Sequence, residues 1–142
     1  MWKEIASNLI WFVVIVVIVS VIAGCKTKNA SNNDGYHKIS AQDAKSMMDE
    51  GNPYTILDVR TEGEYESEHI NGAILIPYNE IKNRAESELA DKSALIFVYC
   101  QTGVRAAAAC KTLVSLGYTN VYDMGGIVDW PYDTVVSDRL EY

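Results

Sequence analysis

The sequence predicts an α/β domain built on a mainly parallel sheet with helices on both faces. Short, continuously apolar runs ("YTILDV" at 54–59, "AILIP" at 73–77, "ALIFVYC" at 94–100) have the pattern of strands buried on both sides. Segments with helix-start and helix-stop residues separate them, and the two kinds alternate along the chain. Strand and helix in alternation are what parallel crossover units generate.

The chain divides into three parts. Residues 1–24 open with Lys3 and Glu4 and continue in an almost uninterrupted apolar run from Leu9 to Ala23. The run ends in Ala23-Gly24 directly before Cys25, small residues of the kind that precede a processing site. "IAGC", 22–25, resembles the lipobox of a bacterial lipoprotein signal peptide. That resemblance implies cleavage before Cys25 and a diacylglycerol on its sulfur; the alternative is an uncleaved N-terminal membrane anchor. Either puts the domain on a membrane, with the extracytoplasmic face expected. Residues 25–35 are a polar tether without hydrophobic periodicity, and 36–142 form the domain.

Within the domain, Ser40-x-x-Asp43 has the form of a helix start and Gly51 of a stop, so a helix is expected near 41–50. The strand 54–59 carries Asp58, and the strand 73–77 follows. A polar helix near 79–89 leads to the most apolar strand, which ends at Cys100. A helix from about Arg105 to Leu116 stops at Gly117; "NVYDM", 120–124, reads as another strand and "GGIVDW", 125–130, as a turn into a short helix. The tail "DTVVSDRLEY" carries no signal.

Composition limits the function. With 142 residues the chain holds one ordinary domain, and 49% hydrophobic residues suffice for its core. A net charge of -7 without any Lys/Arg cluster excludes a nucleic-acid footprint.

The chemistry concentrates at "YCQTGVRA", 99–106. Ligands of open parallel sheets gather beyond the carboxyl ends of strands, where Cys100 stands. Gln101, Thr102, Gly103 and Val104 lead to Arg105 and the next helix, so loop amides and the helix dipole can converge on an anion. A thiolate at Cys100 is stabilised by the same groups and by the charge of Arg105. An apolar strand ending in cysteine is also the ordinary setting of a buried small hydrophobe. The Cys-x4-Arg spacing with glycine inside favours the nucleophile.

Together, "ILDVRTEGEYESEHINGAILIP" (56–77), "YCQTGVRA" and "GGIVDW" resemble the rhodanese-like sulfurtransferase family. The resemblance implies that fold and a catalytic Cys100 cycling through a persulfide, with 101–105 as the substrate-binding loop and Asp58 and Arg60 as its support. It implies a small sulfur-containing anion such as thiosulfate as donor, with cyanide, a thiol or a protein as acceptor, and no cofactor or metal. Arg105 orients the donor, or else pairs with a nearby carboxylate; Asp58 and Arg60 are expected to form a structural ion pair. His69 is expected to fix the turn before the second strand, not to act as a base. Asn71 stands where the family often carries Pro. Gln101 replaces a second positive charge that some members carry. Cys110 is expected to be a buried structural thiol, with a protective disulfide as the alternative. A slow or non-catalytic sulfur carrier remains a second reading, and an oxyanion-directed phosphatase or arsenate reductase, whose loops are one residue longer, a third.

Overall fold

The computed structural model describes residues 34–137. The signal-peptide reading of 1–24, the lipid site at Cys25 and most of the tether lie outside the described residues.

The elements are β1 (His37–Lys38), α1 (Ala41–Asp49), β2 (Tyr54–Asp58), α2 (Glu62–Ser67), β3 (His69–Ile70), β4 (Ala73–Leu75), α3 (Ile81–Glu88), β5 (Leu95–Cys100), α4 (Val104–Ser115), β6 (Val121–Gly126), a 3-10 turn at Ile127–Asp129 and β7 (Thr134–Val135). The main sheet has five strands in the order β1-β6-β5-β2-β4, every pair parallel. β3 and β7 form a separate antiparallel pair, His69 opposite Val135. The α/β class with a mainly parallel sheet is therefore observed.

Strand alternation explains how both faces are covered. On β5, Ile96, Val98 and Cys100 point toward α3 and α4 and pack with Leu57, Ile81, Ala85, Ala109 and Leu113. Phe97 and Tyr99 point the other way and pack with Ala44 and Met48 of α1, Met124 and Ile127. The alanines of α4 permit close approach: Ala106 and Ala109 are fully buried against the sheet. Tyr118 closes this layer by donating its hydroxyl proton to the carbonyls of Ala85 and Leu89 at the end of α3.

The expected helices near 41–50, 79–89 and 105–116 correspond to α1, α3 and α4. The short helix α2 was not expected, although its start is written in the sequence. Thr61 and Glu64 form a capping box, each side chain bonding the other's backbone N–H. β7 falls in the tail that carried no signal, because two residues pairing with β3 leave no periodic pattern. The double glycine 125–126, read as the start of a turn, continues β6 to Gly126.

Candidate active site

Cys100 ends β5 with 1% of its surface exposed. The chain then turns through Gln101, Thr102 and Gly103 before α4 begins at Val104. Gly103 takes φ +96°, a left-handed conformation that side-chain-bearing residues resist, and this aims its N–H inward. The amide hydrogen is donated to Cys100 Sγ at 3.1 Å. An anionic sulfur here is therefore met by a backbone donor and by the positive end of α4.

The floor of the loop is backbone. Cys100 pairs with Gly126 beyond a register irregularity in β5. A Cβ on Gly126 would lie 2.7 Å from Thr102 Cα and closer still to the Gln101 carbonyl oxygen. A Cβ on Gly103 would lie 3.3 Å from Gly125 Cα. Only glycines allow this stacking of loop on strand. The Asp123 carboxylate sets the bend by accepting from Gly125 N–H at 2.9 Å, and burial pushes its carboxyl above the ordinary range. The sequence marked 125–126 only as a closing segment; two adjacent glycines at a strand end were the available signal.

Asp58 and Arg60 form the expected buried ion pair. Arg60 Nη2 reaches Asp58 Oδ2 at 2.7 Å, with the side chains 2% and 0% exposed. Arg60 Nε bonds both carboxylate oxygens, at 3.1 and 3.0 Å, and Nη2 also donates to the Glu68 carbonyl. The pair reaches the loop as well: Arg60 Nη1 donates to Gln101 Oε1 at 3.1 Å. Gln101 thus holds one side of the loop to β2. The Tyr99 ring lies 5.5 Å from the Arg60 guanidinium, and its hydroxyl oxygen accepts from Ile70 N–H at 3.1 Å.

Arg105 takes the pairing role left open by the sequence. Its Nη1 and Nη2 donate to the two oxygens of Glu64 at 2.8 and 2.7 Å. Glu64 is itself fixed, accepting from Thr61 N–H at 2.9 Å and Thr61 Oγ1 at 2.8 Å. These bonds, Arg105 first, hold the Glu64 carboxyl down at about 2. Glu64 raises the Arg105 pKa in return, with a lesser contribution from Cys100. Sequence reasoning gave Glu64 no role.

His69 is anchored to α2: its Nδ1 is 2.8 Å from the Tyr65 carbonyl oxygen and its ring stacks on Tyr65 at 3.8 Å. Gly72, at φ +79°, makes the turn that follows Asn71. Thr102 and Val104 are exposed at the mouth of the loop, Val104 to 78%. Cys110 is a free thiol, as is Cys100, and burial pushes it well above the ordinary thiol range. A cleft of about 460 Å3 beside the loop is lined by Lys38, Thr102, Gly103, Val104, Asp123 and Gly125. A larger one of about 520 Å3, around Tyr54, Trp130 and Tyr132, shares no residue with the loop.

With this geometry in place, comparison with known proteins identifies relatives. A family model described as "Rhodanese-like domain" matches residues 40–132. The thiosulfate sulfurtransferase PspE of Escherichia coli is 40% identical over 73 residues, covering 51% of this chain and 70% of that protein. The thiosulfate sulfurtransferase GlpE of Coxiella burnetii is 32% identical over 104 residues, covering 72% of this chain and 94% of that protein. Among solved structures, a "rhodanese with anions from E. coli" aligns with a TM-score of 0.57 at 35% identity, over 60% of this chain and 100% of its own.

Proposed function

Because the chain belongs to the rhodanese-like family, we propose that it is a sulfurtransferase in which Cys100 carries the sulfur. The observation that carries this reading is the Gly103 N–H directed at Cys100 Sγ across 3.1 Å. In the first half-reaction the Cys100 thiolate attacks the outer sulfur of a small sulfane-sulfur anion. A new S–S bond forms, the donor's own bond to that sulfur breaks, and the donor remainder leaves with the electron pair, as sulfite if the donor is thiosulfate. The terminal sulfur of the Cys100 persulfide is then anionic and faces the amides of the loop. In the second half-reaction a thiophilic acceptor (cyanide, a thiol or a protein cysteine) attacks that sulfur, and the Cys100 thiolate leaves unchanged. No net oxidant or reductant is consumed.

Gln101, Thr102, Gly103 and Val104 form the cradle in this reading, Asp58 and Arg60 brace it, and Arg105 borders it. The engagement of Arg105 by Glu64 weighs against a phosphatase, whose arginine must be free to embrace an oxyanion. The membrane tether belongs to the same proposal: Cys25, following "IAG", is the lipid attachment site and holds the domain on the extracytoplasmic face. Palmitate labelling that marks wild type and spares Cys25→Ser supports the tether; equal labelling of both removes it.

The transfer itself is tested with the purified full-length chain, a sulfane-sulfur donor and cyanide. The expected result is catalytic thiocyanate formation that Cys100→Ser abolishes. A single stoichiometric release without turnover turns the reading toward a sulfur carrier, and release unaffected by Cys100→Ser removes Cys100 from it.

A further inference from the structure

Resting on the sulfurtransferase reading, we propose that Glu64 determines donor specificity: by neutralising Arg105 it tunes the Cys100 loop to sulfane-sulfur donors of one negative charge, organic thiosulfonates or hydropersulfides, over dianionic thiosulfate.

The charges beside the loop carry the argument. Two described cations stand beside it, Arg60 just after β2 and Arg105 in the first turn of α4, and each is occupied by a carboxylate of its own. Arg60 is forked onto Asp58 in the interior. Arg105 is forked onto Glu64, with both terminal nitrogens engaged. The position after the cysteine, which could supply a further charge, is the neutral Gln101, and its side-chain carbonyl is turned to Arg60. On the opposite side of the loop Lys38 lines the cleft, together with the buried carboxylate of Asp123.

Glu64 cannot simply swing away to release Arg105. Its carboxylate is the reciprocal partner in the capping box of α2, held by both the N–H and the hydroxyl of Thr61. Displacing it would uncap the helix as well as break the fork. With the charge of Lys38 opposed by the neighbouring Asp123 carboxylate, what is left uncancelled at the loop is the converging backbone, including the Gly103 N–H, and the α4 dipole, equivalent to about half a positive charge. That suits one negative charge and leaves the second charge of thiosulfate uncompensated.

The chemistry is the same for both donor classes. From a hydropersulfide anion, R–S–S(-), the Cys100 thiolate takes the outer sulfur and R–S(-) departs with the electron pair. From a thiosulfonate the sulfinate departs instead. Only the charge brought to the loop differs.

The test compares thiosulfate with methanethiosulfonate, a monoanion, as donors to the full-length chain with cyanide as acceptor. In Glu64→Gln the expected result is a rise of about tenfold in kcat/KM for thiosulfate, with methanethiosulfonate changing by less than about threefold. Glu64→Asp, which keeps the charge, is expected to keep the wild-type ratio. If Glu64→Gln changes both donors by one factor, or lowers thiosulfate selectively, Glu64 is merely structural and the proposal falls.

A measurement on the unmodified protein gives an independent answer. Screening by added salt should raise wild-type kcat/KM for thiosulfate relative to methanethiosulfonate. A fall would show an uncompensated cation at the site and overturn the proposal. The two readings separate cleanly: turnover of both donors with an unchanged ratio in Glu64→Gln sinks only the role of Glu64. Absence of thiocyanate from either donor sinks the sulfur-transfer reading and this inference with it.

Discussion

Gly126 lies so close beneath Gln101 that a single added methyl would overlap the Gln101 carbonyl, and it would stand 2.7 Å from Thr102 Cα. The loop after Cys100 therefore rests on a strand end that cannot carry a side chain. Gly126→Ala is expected to push the loop outward and turn the Gly103 N–H away from Cys100 Sγ. Sulfur transfer should fall by more than tenfold, with a cost to folding of about 1–3 kcal/mol. Steady-state kinetics and urea unfolding on the same preparation check both.

Asp58 and Arg60 form a buried pair that is costly to break from one side. Asp58→Ala leaves the Arg60 guanidinium buried beside Tyr99 without its carboxylate. The expected loss is about 3–5 kcal/mol in urea unfolding, the penalty of an uncompensated buried charge. Asp58→Ala/Arg60→Met removes both charges and should recover much of that stability. Equal losses in the single and double variants would contradict a buried charge as the cause.

Glu64 gives the protein an acid-sensitive component. Its folded-state carboxyl is held near 2, below the ordinary 4.5, chiefly by Arg105. A depressed carboxyl contributes stability that is fully present above about pH 4.5 and is lost as pH falls toward 2. Glu64→Gln should therefore be less stable than wild type at pH 6, and the difference should shrink below pH 4.5. Thermal unfolding across that range measures it; a difference that grows on acidification has the wrong sign.

Cys110 is enclosed by the α4 face of the core, and burial disfavours its thiolate. Intact mass should be unchanged by reduction apart from any Cys100 adduct. Alkylation of the native protein at neutral pH should spare Cys110, which becomes reactive only on unfolding. A Cys100–Cys110 disulfide in the mass spectrum would contradict the free thiols of the fold.

How much of this could be read beforehand follows from the range of the interactions. β2, β5 and α4 were legible because each writes its own pattern: Ile56-Leu57 and Ile96-Phe97-Val98 as continuous apolar runs, and 106–109 as a run of small helix formers. Cys100 and its loop were legible because spacing along the chain sets where they stand. Arg105 was left between two roles because its partner, Glu64, is 41 residues away. Asp58 and Arg60 come from the family resemblance as loop support and an expected ion pair, but the bond that joins them to the loop, Arg60 to Gln101, spans 41 residues. α2 was missed although Thr61-x-x-Glu64 states its cap, since only six residues follow and no apolar stripe marks them. β7 owes its existence to a partner, β3, that is equally short.

Whether Cys100 holds the transferred sulfur is decided by mass. The full-length chain is incubated with thiosulfate, methanethiosulfonate or a hydropersulfide and weighed intact beside Cys100→Ser. The expected result is a gain of one sulfur, about 32 Da, that cyanide removes and Cys100→Ser never acquires. If no donor adds sulfur to the wild type, or if Cys100→Ser gains it equally, Cys100 is not the carrier and the account is wrong.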